Sequence, residues 1–107
     1  MKVEQFLNRN QFRLYDTNIN ILQSYNSKVV EIKGHEYQFI ILGKDWDYST
    51  TTSKHVYAFL DKYSKVNFCE VINKRKYIKD LIEECKRDRF EFIKNNHYEI
   101  VYDEEMV

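Results

Sequence analysis

Asp16 and the triplet Glu31-Ile32-Lys33 have the order and spacing of a metal-dependent nuclease of the PD-(D/E)xK type, in which two carboxylates hold Mg²⁺ and a lysine assists the attacking water. That chemistry needs the fork of a sheet covered by an earlier helix. Here the triplet falls among short strands with little chain before it, and such a string arises readily by chance where 32% of residues are charged. Asp45 and Asp47 could chelate magnesium, but they flank a run that reads better as a helix start, where carboxylates and hydroxyls accept from backbone N–H groups. His35, His55 and His97 fall in different elements without a thiol or H-x-x-x-H partner, so no bound transition metal is expected. Ser49 and Ser53 lack a G-x-S-x-G elbow, and neither Cys69 nor Cys85 has a base beside it. The expectation is a protein that binds rather than turns over, with no cofactor.

The elements that position these residues follow from periodicity. Gln11 to Tyr15 reads as a strand with Phe12 and Leu14 inward and Arg13 and Tyr15 outward, and Asp16-Thr17-Asn18 turns the chain into Ile19 to Tyr25. Lys28 to Lys33 and Glu36 to Leu42 continue an antiparallel meander, separated by Gly34-His35. Phe39-Ile40-Ile41-Leu42 is apolar on both faces, which makes this strand central or covered on both sides. Val56, Phe59, Leu60 and Tyr63 recur at helical spacing, giving a helix from about Thr52 to Tyr63 that buries one stripe. Val66 to Ile72 alternates again as a strand, and Asn73 can cap a second helix with the stripe Tyr77, Ile78, Leu81, Ile82 and Cys85. Two endings remain open: a long helix to about Lys94 capped by Asn95-Asn96, which the stripe favours although Arg89 interrupts it, or a stop near Arg87 followed by a hairpin of Phe90 to Ile93 with Tyr98 to Tyr102. The fold expected is α+β, an antiparallel β-meander of five or six strands packed against two helices, as one domain over residues 1–107.

Composition narrows the function classes. At 107 residues and 13.2 kDa the chain should expose roughly 6,400 Å² when folded and can bury a core of its own. Lys and Arg balance Asp and Glu at 17 each, which argues against non-specific binding to phosphate backbones and equally against an acidic mimic of DNA. Local imbalance survives in the basic stretch Lys74, Arg75, Lys76, Lys79, Lys86, Arg87 and Arg89 and in the acidic end with Glu99, Asp103, Glu104 and Glu105. No apolar run is long enough for a membrane span. MKVEQFLNRN lacks the apolar segment of an export signal, so Cys69 and Cys85 are expected to be reduced, buried and cytosolic. Nine tyrosines, seven phenylalanines and one tryptophan are heavy aromatic use. Arg13, Tyr15, Tyr25, Tyr37, Trp46 and Tyr48 could form a binding rim, since tyrosine joins an apolar body to a polar tip. The same mixture can stack single-stranded nucleic acid, a target that neutrality weakens.

Gln23-Ser24-Tyr25-Asn26-Ser27 and Asp45-Trp46-Asp47-Tyr48-Ser49-Thr50-Thr51-Thr52-Ser53-Lys54, followed by Phe59-Leu60, resemble a small domain found in proteins of phages and mobile elements of Gram-positive bacteria. Its signature is Q-S-Y-x-S, then W-D-Y-S-x-T-T-S-K and a short helix ending F-L; some members resemble type II-A anti-CRISPR proteins of staphylococcal phages, which bind a Cas9 effector and stop it cutting. The likeness covers about Gln11 to Lys62, and Lys65 to Val107, with its strand, basic helix and acidic tail, lies outside it. It implies a partner, a CRISPR–Cas effector alone or with its guide RNA, in the cytoplasm of a host bacterium. The residues expected to meet the partner are Arg13, Tyr15, Tyr25, Tyr37, Tyr48 and Lys54, together with the basic set Lys74, Arg75, Lys79, Lys86 and Arg87. A nucleic-acid-binding accessory protein using the basic set is the alternative. In plain structural terms, Trp46 would plug the space between helix and sheet while Asp47, Ser49, Thr51 or Thr52 satisfy the helix start.

Overall fold

A computed structural model describes residues 1–67, 71–85 and 89–106, with side chains omitted from description at 8, 85, 89 and 90. The meander begins earlier than its alternation suggests. Lys2–Phe6 forms β1, a strand exposed at every position but Phe6, and it pairs antiparallel with β2, Asn8–Asp16. A two-residue turn at Thr17 and Asn18 leads to β3, Ile19–Ser24, and a second at Tyr25 and Asn26 leads to β4, Ser27–Lys33. Gly34 makes the next turn at φ +97°, and a Cβ there would collide with the Tyr37 carbonyl, so glycine is required. β5, Gln38–Gly43, follows antiparallel to β4.

Helix α1 spans Thr50–Tyr63 and helix α2 spans Lys74–Cys85. Ser49 Oγ accepts from the Thr52 amide at the start of α1, and Asn73 Oδ1 accepts from the Lys76 amide at the start of α2. The long second helix does not form: β6, Arg89–Lys94, and β7, Tyr98–Asp103, make an antiparallel hairpin instead. The reason lies in β5, whose second edge would otherwise be left open beside a strand apolar on both faces. β7 fills that edge in parallel register, Ile40 opposite Ile100 and Leu42 opposite Tyr102, giving the order β1-β2-β3-β4-β5-β7-β6. The α+β class is as expected, with seven strands rather than five or six among the described residues. Of the strand expected over Val66 to Ile72, residues 68–70 lie outside the described residues, Val66, Asn67 and Val71 are not in strand, and Ile72 is fully exposed.

Both helices pack on one face of the sheet. Val56, Phe59, Leu60 and Ile78 meet Leu22, Val30, Ile32, Ile40, Leu42 and Ile100, all buried, and Phe6 closes the end against the Phe59 ring at 5.2 Å. The accessible surface of 6704 Å² matches what the mass requires of a folded domain. None of the described helices is long and apolar enough to cross a membrane.

Candidate functional site

The two sequence segments that carry the resemblance lie far apart in the chain and meet at one end of the sheet. On the hairpin side, Tyr25 holds the first position of a two-residue turn at φ 54°, a left-handed conformation usually supplied by glycine. Its amide donates to the Asn10 carbonyl at 2.8 Å, and Gln23 Nε2 donates to its carbonyl at 2.9 Å. Beneath it, buried Gln11 donates through Nε2 to Ser24 Oγ at 2.7 Å. On the other side, the Trp46 amide donates to Gly43 and the Tyr48 amide to Asp45, both at 3.1 Å, so the approach to α1 is two successive turns. Trp46 is buried between helix and sheet, 6.4 Å from the Tyr57 ring, and burial pushes the Tyr57 phenol up to about 12.

Between these segments runs a cleft of about 430 Å³. Ser24, Tyr25, Ser27 and Val29 line its hairpin side, and Asp45, Tyr48 and Ser49 its helix side. Tyr25 is 60% exposed and Tyr48 78%, while Val29 is fully buried. Among the described residues no histidine, cysteine, lysine or arginine lines the cleft, so the side-chain polar groups there are hydroxyls and one carboxylate, groups that hold a ligand rather than move protons through a base.

The remaining expected site residues are scattered. Arg13 and Tyr15 lie on the helix-covered face, the reverse of the expected orientation, because Arg13 pairs in register with core residue Leu22. The Arg13 guanidinium sits 3.8 Å from the Tyr15 ring centre and 4.1 Å from that of Tyr63, and it donates at 2.8 Å to both Glu4 and Asn20. This hydrogen bond holds the Glu4 carboxyl below the usual range. Phe12 and Leu14 take the opposite, helix-free face. Tyr37 stands at the far end of the sheet and donates to Glu99 at 3.2 Å, so it cannot share a rim with Tyr25 and Tyr48. Lys54 is exposed on α1. Asp47 caps no helix; it lies 3.6 Å from Arg75 Nε and 3.4 Å from Lys79 Nζ and ties α2 to the loop before α1. Lys74 is half-buried at the start of α2, and Lys86 and Arg87 lie outside the described residues, as does Cys69; nothing is described of the Cys85 side chain.

The acids considered for catalysis do not converge. Asp16 accepts from the Thr17 amide in its own turn, while Glu31 is 3.6 Å from Lys33 on the helix-free face. Among the described residues no group of three or more histidine, cysteine, aspartate or glutamate side chains is placed to hold a metal ion.

Fold and cleft together define a two-layer α+β domain, helices on one face of a mixed sheet, with a tyrosine-walled cleft at one end. The chain belongs to the family of unknown function DUF8033, which matches residues 1–79. No curated protein matches it, and no solved structure does. The family match takes in both walls of the cleft and ends within α2, leaving β6 and β7 beyond it.

Proposed function

We propose that this domain acts by stoichiometric binding, with the Tyr25–Tyr48 cleft as its contact face, and that its partner is a CRISPR–Cas effector of the Cas9 type, inhibited in the cytoplasm of the host bacterium. One observation carries the binding role: the two segments of the resemblance, separated by β4, a turn and β5, converge to present two exposed tyrosines beside one carboxylate. Exposed tyrosine is costly to solvate and useful at a wet interface, where two torsions fix a large contact area. The name of the partner rests on the resemblance alone. Inhibition would follow from occupying a surface the effector needs for target entry or for its own rearrangement.

The test is a cleavage assay with guide-loaded type II-A Cas9 proteins from low-GC Gram-positive hosts. Loss of cutting at saturating inhibitor supports the proposal, and undiminished cutting across several orthologues rejects it. Salt separates the alternative of a nucleic-acid accessory protein, which should lose affinity steeply as salt rises. The pairing of Arg75 and Lys79 with Asp47 speaks for the protein interface, since it spends two of the cations that a phosphate-binding helix would present.

A further inference from the structure

We propose that the cleft receives a single cationic side chain, guanidinium or ammonium, projected by the binding partner, with Asp45 as counter-ion and the Tyr25 and Tyr48 rings as walls; this deepens the binding role proposed above. Charge is the first argument. The Asp45 side chain is half-buried and makes no ion pair among the described residues, whereas Asp47 two positions on engages both Arg75 and Lys79. Among the described residues no cation lines the cleft, and the one charged side chain there is the Asp45 carboxylate. A carboxylate so placed favours a ligand that brings a positive charge and N–H donors.

The walls give the second argument. Neither phenol is hydrogen-bonded and neither ring stacks on another among the described residues, so both π faces are free for a cation. Tyr25 holds its ring there from a left-handed backbone position that glycine would occupy without strain, and burial does not repay that strain. An anion is disfavoured although α1 begins nearby, because the Ser49 hydroxyl already accepts from Thr52 and an entering anion would face Asp45.

The experiment uses ¹⁵N-labelled full chain titrated with N-acetyl-arginine amide and, separately, N-acetyl-lysine amide, with N-acetyl-norleucine amide and N-acetyl-glutamate amide as controls. Saturable shifts at the amides of residues 24–29 and 45–49, with a dissociation constant in the millimolar range, are expected for at least one cation. Asp45→Asn should weaken that binding by about fivefold or more, the size of a modest ion pair. Tyr48→Ala should weaken it as well, and the exposure of that ring means the fold does not depend on it. Absence of saturable shifts, an equal response to norleucine or glutamate amide, or unchanged binding in Asp45→Asn each overturns the proposal. Uninhibited Cas9 alongside arginine binding would remove the proposed partner and leave the site; inhibition that persists in a chain that binds neither cation would remove the site and leave the partner.

Discussion

From β1 to β5 each strand turns back on the one before it, through links of a few residues and in antiparallel register, whereas β7 reaches the other edge of β5 only after both helices have been traversed, and lies parallel to it. The two regions meet in one row of side chains, Ile32, Ile40 and Ile100, each almost fully buried. Burial alone does not tell them apart. What differs is how far along the chain each contact was sought, and that the family match contains the first region and stops short of the second.

Matched core truncations put the largest load on this comparison. Phe59→Ala, in the helix that packs on the meander, should cost about 3–5 kcal/mol, and Ile100→Ala, in the hairpin, about 2–5 kcal/mol, read from urea midpoints at constant slope. A loss under about 1 kcal/mol for Ile100→Ala, or a separate early transition, would mean that the hairpin is an appendage and not part of one cooperative unit. A smaller effect is expected where α2 is tied to the motif segment. Asp47→Ala removes two partly exposed ion pairs and should cost about 1 kcal/mol, with faster amide exchange concentrated in α2. Equal loss of protection in α1 would show that the tie supports the whole helix layer.

The smallest effect separates the regions by sign. In α1, burial holds the His55 imidazole below its ordinary value, and its Nδ1 is buried without a hydrogen-bond partner among the described residues. The unfolded chain therefore binds the proton more readily, so His55 contributes stability that is present above about pH 6.5 and is lost as pH falls from there through the folded value. In the hairpin, a hydrogen bond with Glu99, aided by desolvation, raises the Glu91 carboxyl. There the folded chain binds the proton more readily, so this contribution grows as pH falls through the raised folded value. Thermal melts between pH 7 and 4 should show His55→Gln flattening the upper part of the profile and Glu91→Gln the lower part. Identical profiles for all three proteins would remove the distinction.

Much of the first region was legible because its contacts are local. Turn residues at Thr17, Asn18, Asn26 and Gly34 mark the meander, and the stripe of Val56, Phe59 and Leu60 marks α1. Side-chain orientation in β2 was not legible: Phe12 and Leu14 look like core, but register with Leu22 puts Arg13 on the covered face, where Tyr15 and Tyr63 solvate its charge. The sequence around residues 86–94 fits a helix by local spacing, and only the open edge of β5 calls for the hairpin that begins at β6. Half of the candidate cleft could be anticipated, since Tyr25 and Tyr48 stood out as aromatics at turns. Asp45 was weighed only as a magnesium ligand and read as part of a helix start; in the structure its side chain has no ionic partner among the described residues.

The parallel pairing of β5 with β7 also bears on how the chain emerges from the ribosome. Phe39-Ile40-Ile41-Leu42 leaves the exit tunnel about 60 residues before its second neighbour, an interval of several seconds at ordinary elongation rates of roughly 5–20 residues per second. Over that interval β5, an interior strand of the finished sheet, presents an unpaired apolar edge, open to any other nascent strand in the crowded cell. Ile40 and Leu42, almost fully buried in the mature domain, are thus among its most adhesive residues during translation, and the hairpin that closes over their strand is made only after both helices.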